Sequence, residues 1–198
     1  MSENVTLEIL RYRPELDSEP HFQTYSIHYR DDWVVLDGLN YIKDCVDATL
    51  AYRWSCHMAI CGSCGMMING EAKLACHAFL RDYRDGVIRI EPLDHFPIER
   101  DLVTVMDSFI EKLSSVKPYV IAKQKKALSD GENLQNPLQL MAFKQYTLCI
   151  NCLLCYAACP QCGLNEGFVG PAAARTSAKS SAAGGSATAA TSSTWCAS

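Results

Sequence analysis

Alternating apolar and polar residues predict two strands near the N-terminus of the chain. Residues 5–9 and residues 25–29 both follow a period of two, which is typical of half-buried strands. The connection between them contains two prolines and three acidic residues, as expected of a surface turn. These two segments are therefore predicted to pair as a β-hairpin.

A helical pattern follows the predicted hairpin. Leu36, Leu39 and Ile42 recur at helical spacing, which predicts a short helix that covers one face of the sheet. Cys45 follows this helix alone, and a single cysteine near a helix end is interpreted as a small buried apolar residue outside any site. Residues 87–90 predict a further strand, which ends before Pro92.

Two more helices are predicted in the second half of the chain. The first carries apolar residues at helical spacing, namely Leu102, Met106, Phe109 and Leu113. Glu99 and Asp101 would lie near its N-terminal end, as the helix dipole favours, and Met106 is predicted to belong to the core. Pro137 is suited to the first turn of the second helix. Residues 118–136 mix charge with an Asp-Gly pair and predict an exposed connector.

Composition and charge narrow the classes of function. The chain has 198 residues, of which 48% are hydrophobic, and this is ordinary for a protein with packed cores. The formal net charge of -4 and the small lysine group at positions 123, 125 and 126 give no basic surface for nucleic acid. No stretch approaches about 18 consecutive apolar residues, so no transmembrane segment is predicted. The polar N-terminus carries no signal-peptide pattern.

The last part of the chain has a different composition. Of the 27 residues at positions 172–198, 23 are Ala, Ser, Thr or Gly. Such a segment has too little apolar surface to offset the entropy lost on ordering, so it is predicted to be disordered.

Cysteines carry the chemical signal. Residues 149–160 have the sequence CINCLLCYAACP, which places four cysteines in C-x2-C-x2-C-x3-C spacing before a proline. This spacing is typical of bacterial-type ferredoxins, in which three thiolates hold one [4Fe-4S] cluster and the fourth ligates another cluster. A zinc site would favour two separated C-x2-C pairs. Disulfides are disfavoured because nothing marks the chain as secreted.

A second set of cysteines lies upstream. Its spacing is C-x4-C-x2-C, with a fourth cysteine twelve positions later, and the set consists of Cys56, Cys61, Cys64 and Cys76. This spacing is typical of plant-type [2Fe-2S] proteins. The Asn-Gly pair at positions 69–70 predicts a type I′ hairpin that would pair Ser63 with Cys76 and bring Cys76 beside Cys64.

Two glycines and two histidines lie next to these cysteines. Gly62 and Gly65 would let the loop wrap closely round a cluster, although simple turn residues are an equal interpretation for Gly65. His57 and His77 could coordinate iron as histidines do in Rieske centres. Since four cysteines are already available, this histidine ligation is disfavoured.

The two motifs in this order resemble the iron-sulfur subunit of the succinate dehydrogenase and fumarate reductase family. The similarity covers residues 5–173, and its most specific strings are YRWSCHMAICGSCGMMING, KLACHAFLRDY, FPIERDLV and CINCLLCYAACPQCGLNEGFVGPAA. The residues around the first motif are more similar to fumarate reductases. The resemblance implies an α+β fold in three parts: an N-terminal β-grasp ferredoxin domain at 1–105, an incomplete helical ferredoxin-like domain at 106–171, and the low-complexity tail at 172–198.

The resemblance also implies cluster ligands. The [2Fe-2S] cluster would be held by Cys56, Cys61, Cys64 and Cys76, the [4Fe-4S] cluster by Cys149, Cys152 and Cys155, and the [3Fe-4S] cluster by Cys159. No residue of the chain would be catalytic, because fumarate and succinate interconvert in an FAD-containing flavoprotein subunit. Electrons would pass through the clusters to quinone at a membrane-anchor subunit.

These partners imply a location and a docking face. The chain would lie at the cytoplasmic face of the cell membrane, attached through its partner subunits. The flavoprotein is expected to bind the face that carries the first cysteine motif, with Arg53 as an exposed residue on it.

The chain departs from the family in two places. Cys162 stands where relatives usually carry an aromatic residue. A second cysteine run, which completes the [4Fe-4S] and [3Fe-4S] ligand sets in the family, does not follow here. The expectation is a truncation product or a natural short paralogue, with quinone-linked turnover lost.

Two other classes of function compete with an electron-transfer subunit. A zinc-held structural module would be colourless and contain stoichiometric zinc. A freestanding soluble ferredoxin would be a stable monomer that needs no flavoprotein. The sequence favours the subunit, since it shows no nucleophile-base set or phosphate-binding loop for substrate chemistry of its own.

Overall fold

The computed structural model describes residues 4–84, 86–119, 127–132, 134 and 136–175. The connector lysines and the tail beyond residue 175, with its predicted disorder, lie outside the described residues. The chain divides into two compact units. The first comprises Met1–Met106 and Ile150–Phe168, and the second comprises Asp107–Cys149 and Val169–Ser198.

The described residues form strands and short helices. The strands are β1 (Asn4–Arg11), β2 (His21–His28), β3 (Gly65–Ile68), β4 (Glu71–Leu74), β5 (Ile88–Glu91), β6 (Ile98–Arg100) and β7 (Val103–Thr104). The α-helices are α1 (Val35–Cys45), α2 (Asp107–Ser115), α3 (Pro137–Phe143), α4 (Leu154–Ala157) and α5 (Pro160–Leu164). Short 3-10 turns occupy Leu80–Tyr83, Leu128–Asp130 and Lys144–Leu148.

Five strands of the first unit form one mixed sheet in the order β2-β1-β5-β3-β4. Strand β1 pairs antiparallel with β2, where Leu7 lies opposite Tyr25, which confirms the predicted N-terminal hairpin. The same strand pairs in parallel with β5, where Leu7 lies opposite Ile88. The parallel pair requires a long crossover connection, and α1 and the β3–β4 hairpin lie within it. The predicted β-grasp sheet is therefore present.

Helix α1 supplies the apolar face that closes the core of the first unit. Leu36, Leu39 and Ile42 are all fully buried, as their helical spacing predicted. They belong to one cluster with inward-facing residues of the sheet, such as Leu7 and Ile90. Burying each of these side chains stabilises the fold by roughly 1.5–3 kcal/mol relative to exposure.

Three predictions about apolar positions are wrong. The helix predicted from Leu102 onward begins only at Asp107, because residues 98–104 form the β6–β7 hairpin instead. Met106 precedes the helix and is half-buried rather than a core residue. Cys45 is exposed, not buried. The last buried residue of α1 is Ile42, and Val46, which follows Cys45, is also exposed.

A buried ion pair fixes the turn between β6 and β7. Asp101 has a φ of 47° and its carboxylate accepts from Arg11 Nε at 3.0 Å. The same carboxylate accepts from the amides of Tyr12 at 2.9 Å and Ala51 at 2.8 Å. Buried charges need such partners, because an unpaired one would be costly to desolvate. Asp101 thereby holds the segment that leads from α1 into the first cysteine motif.

Candidate metal centre

The β3–β4 hairpin positions two of the four cysteines of the first motif. Asn69 and Gly70 have φ values of 50° and 78°, as a type I′ turn requires, and Ile68 pairs with Glu71. The register continues beyond the strands, because the Ala75 amide donates to the Cys64 carbonyl at 3.0 Å. The predicted turn and register are confirmed. Cys76 consequently follows β4 beside Cys64, and their thiols are hydrogen-bonded.

The loop at residues 56–63 directs backbone amides at the cysteine sulfurs. The Sγ atom of Cys56 accepts from the amides of residues 58, 60 and 61, at 3.4, 3.4 and 3.3 Å. The Sγ atom of Cys76 accepts from the Ala59 amide at 3.3 Å, and that of Cys61 accepts from the Ser63 amide at 3.4 Å. Amide donors stabilise negative charge on sulfur, so the loop favours thiolates.

Left-handed backbone conformations make this loop possible. His57, Ala59 and Gly62 have φ values of 55°, 58° and 76°. Such residues turn successive N–H groups toward one concave side, an arrangement that suits anionic groups. A non-glycine residue in this conformation costs free energy, and two of these three residues are not glycine. The local strain is consistent with a functional loop.

The four sulfurs differ in their surroundings. Cys56 and Cys61 are half-buried, whereas Cys64 and Cys76 are buried. Hydrogen bonds from the backbone of Cys56 and from Ser63 lower the pKa of the Cys61 thiol to about 6. Burial raises the pKa of the Cys64 thiol to about 11, although a hydrogen bond with the backbone of Cys76 opposes this rise. Without a positive charge beside it, buried Cys64 would therefore be a neutral thiol.

The residues of the first motif fit a binuclear iron-sulfur group. None of the described cysteines forms a disulfide, so the four thiols of the motif are available as ligands. Within the described residues, no three His, Cys, Asp or Glu side chains are grouped to hold a single metal ion. A [2Fe-2S] cluster is held by four thiolates spread over two irons, so it does not require three side chains to meet at one point.

The neighbouring histidines have other contacts. His57 Nε2 lies 3.2 Å from the Asp37 carboxylate, and His77 packs at an angle against the ring of Phe79. Both histidines are exposed. The preference for cysteine over histidine ligation stays a prediction.

The second motif is distributed over the two units. Cys152, Cys155 and Cys159 belong to the first unit, and Cys149 belongs to the second. Leu153 has a φ of 67° and directly precedes α4, and Cys159 directly precedes α5. Burial opposes ionisation of Cys159, but hydrogen bonds from the backbone of Cys162 and Gln161 lower the pKa of its thiol.

Two glycines of the first motif lie against the second motif. A Cβ atom at Gly62 would meet the Cys152 Cβ at 2.6 Å and its Cα at 2.8 Å. A Cβ atom at Gly65 would meet the Cys152 carbonyl at 3.0 Å and Leu154 Cδ2 at 3.2 Å. The glycines thus permit close approach of the Cys152 backbone. The interpretation of Gly65 as a simple turn residue is wrong, since it lies in β3 and makes this contact.

Two features of the centre could not be predicted from the sequence. The amide donors at residues 58–61 could not be identified, because any residue type supplies a backbone N–H. The placement of Ile150–Phe168 in the first unit was not predicted either, and the predicted domain boundaries stay a prediction. Cys162 is buried beside Cys159, and its C-x2-C spacing was a usable signal.

Comparison with known proteins identifies relatives over most of the chain. Residues 6–111 match the family model described as a 2Fe-2S iron-sulfur cluster binding domain. A fumarate reductase iron-sulfur subunit of Mycobacterium tuberculosis is 52% identical over 173 residues, which is 87% of this chain and 70% of that protein. The corresponding subunit of Haemophilus influenzae is 54% identical over 180 residues, covering 85% of this chain and 70% of that protein.

A solved structure agrees with these relatives. A chain of the Mycobacterium smegmatis Sdh1 complex in the apo form superposes with a TM-score of 0.79 at 26% identity. The match covers 90% of this chain and 76% of that chain. In the part of this chain that the structure describes, no helix is both long and apolar enough to cross a bilayer.

Proposed function

Since the chain belongs to the family of fumarate reductase and succinate dehydrogenase iron-sulfur subunits, we propose that it relays electrons within such an oxidoreductase complex. Interconversion of fumarate and succinate takes place in a flavoprotein partner, and this chain supplies the electron path. Iron-sulfur clusters move single electrons, and the protein contributes ligands, orientation and electrostatics.

The observation that carries this function is the set of amides directed at the first motif. Five backbone N–H groups donate to the sulfurs of Cys56, Cys61 and Cys76. We assign the [2Fe-2S] cluster to these three cysteines and Cys64. Hydrogen bonds to sulfur stabilise added negative charge, so they make acceptance of an electron more favourable. Burial of Cys64 and Cys76 keeps water from one side of the site.

The second motif supplies the next ligands. We assign Cys149, Cys152 and Cys155 to a [4Fe-4S] cluster and Cys159 to a different cluster, on their ferredoxin-type spacing. The resemblance to the family implies that this different cluster is [3Fe-4S]. The close approach of Cys152 to Gly62 supports transfer between the first two groups, since electron tunnelling falls steeply with distance. Gly62 directly follows Cys61 in the chain, so its close approach to Cys152 also brings the backbone at Cys61 near Cys152.

The partners follow from the same assignment. The flavoprotein holds FAD, and a membrane subunit holds the quinone. The chain is peripheral at the cytoplasmic face of the membrane and attaches through these subunits.

An exposed apolar group marks the docking face for the flavoprotein. Trp54, Met58 and Ile60 have exposed fractions of 49%, 65% and 62%, and all three lie on or beside the loop of the first motif. Aromatic residues and methionine are enriched at protein interfaces. Arg53 is a poor probe of this face, because its guanidinium donates to the Thr104 carbonyl and to Met106 Sδ, both at 3.0 Å.

A matched pair of variants tests the docking face. Ile60→Glu should weaken flavoprotein binding by at least about tenfold, since it places a charge in an interface core that otherwise excludes charged residues. Leu16→Glu is the control, because Leu16 is 70% exposed in the β1–β2 connection. The measurement is the dissociation constant by surface plasmon resonance with purified flavoprotein. Equal effects of the two substitutions would contradict this docking face, and no measurable binding by the unaltered chain would contradict the subunit function.

A further inference from the structure

A buried cysteine that the cluster assignments do not use lies beside Cys159. Cys162 is 7% exposed and is the third residue of α5, whereas Cys159 is the residue that directly precedes this helix. The Cys162 amide donates to the Cys159 carbonyl at 3.1 Å, which closes a single turn of backbone around the pair. The Cys162 thiol is also hydrogen-bonded to the Cys159 thiol.

The two thiols differ in their access to solvent. Cys159 is half-buried and Cys162 is buried, so a small reagent has better access to Cys159 than to Cys162. Cys-Pro-Gln-Cys is a C-x2-C sequence, the spacing that thiol-disulfide oxidoreductases use for an exposed attacking thiol and an inner resolving thiol. Geometry and access therefore both match an exchange site.

We propose that Cys159 and Cys162 form a dithiol that exchanges with low-molecular-weight disulfides. The Cys159 thiolate attacks one sulfur of the small disulfide and releases one small thiol, leaving a mixed disulfide on Cys159. The Cys162 thiolate then attacks the Cys159 sulfur and releases the second small thiol. The protein loses two electrons and two protons, and the small disulfide gains them as two thiols.

Oxidation of this pair has a consequence for the second motif. A sulfur in a disulfide is not a thiolate ligand, so the oxidised pair withholds Cys159 from iron. This consequence rests on the proposed assignment of Cys159 to a cluster. The exchange reaction itself depends only on the two thiols.

The exchange is tested on the full chain with glutathione disulfide as the oxidant. Aliquots are quenched with iodoacetamide, digested without reduction, and analysed by peptide mass spectrometry. The bond between Cys159 and Cys162 should form at least about tenfold faster than a bond from Cys159 to any other cysteine, because its reaction is completed within one helical turn. Formation of bonds from Cys159 to other cysteines at an equal rate would overturn the proposal.

Two variants and an iron measurement separate the exchange from its consequence. In Cys162→Ser, glutathione should stay on Cys159 as a mixed disulfide, whereas in the control Cys45→Ser the 159–162 bond should form as in the unaltered chain. Prior oxidation should lower the iron that the unaltered chain takes up on reconstitution, and dithiothreitol should restore it. A rapidly formed 159–162 bond with unchanged iron uptake would preserve the exchange reaction and overturn the ligand role of Cys159.

Discussion

Substitution of Gly62 by alanine tests whether the two cysteine motifs are packed against each other. The added methyl group lowers the unfolding free energy for two reasons. The φ of 76° is unfavourable for alanine and costs about 1–2 kcal/mol. The methyl group would also lie 2.6 Å from the Cys152 Cβ and 2.8 Å from its Cα, so the backbone at Cys152 must move. Overpacking of this kind costs about 1–3 kcal/mol.

Gly70 provides a matched control for the backbone cost. Its φ is 78°, nearly that of Gly62, and nothing lies within 4 Å of the position its Cβ would take. Gly70→Ala should therefore lose about 1–2 kcal/mol of unfolding free energy from the backbone conformation alone. Gly62→Ala should lose about 2–5 kcal/mol, the sum of the two costs. The difference between the variants isolates the contact with Cys152.

Urea unfolding and amide hydrogen exchange provide the readouts. Unfolding free energies of both variants are compared with that of the unaltered chain. Exchange is followed at α4, which should lose protection in Gly62→Ala and keep it in Gly70→Ala, because only the first substitution displaces the segment at Cys152. Equal free-energy losses within about 0.5 kcal/mol, with unchanged exchange at α4, would refute the packing of the motifs.

Two further predictions concern the buried network around Arg11. Asp101→Asn should destabilise the chain by about 1.5–3 kcal/mol in urea unfolding, since it removes the more buried of the two carboxylates that pair with Arg11, the other being that of Asp47; a loss below about 1 kcal/mol, the range of surface pairs, would contradict this role. Burial disfavours the Asp47 carboxylate, but hydrogen bonds from Thr49, Arg11 and Tyr25 hold its pKa well below the usual 3.8. The stabilisation is thus complete above the unfolded pKa and is lost as pH falls from 3.8 through the folded pKa. The difference in unfolding free energy between the unaltered chain and Asp47→Asn should become smaller as the pH falls. A difference that is constant with pH would contradict the stabilising role of the Asp47 carboxylate.

Local patterns in the sequence predicted the first half of the fold. The period-two segments of β1 and β2, the helical spacing of Leu36, Leu39 and Ile42, and the Asn-Gly turn at 69–70 each depend on neighbouring residues. For that reason these elements could be predicted from the sequence without the tertiary structure. The turn also predicted the neighbourhood of Cys64 and Cys76.

The errors arise where distant residues decide the conformation. Leu102 fits a helical repeat with Phe109, but Asp101 is held in a turn by Arg11, about ninety residues away in sequence. No local pattern contains that contact. The close approach of Cys152 to Gly62 is equally distant in sequence, so the glycine could be noted but its neighbour could not be identified.

We propose above that Cys56, Cys61, Cys64 and Cys76 hold a [2Fe-2S] cluster that accepts an electron. The most direct test of this proposal is the electron paramagnetic resonance spectrum of the dithionite-reduced chain, recorded for the unaltered protein, Cys76→Ser and the control Cys45→Ser. We expect a [2Fe-2S] signal in the unaltered chain and in Cys45→Ser. In Cys76→Ser we expect the signal to be lost or strongly perturbed, because thiolate is the preferred ligand of these irons. A colourless chain with stoichiometric zinc, or an unchanged signal in Cys76→Ser, would contradict the proposal.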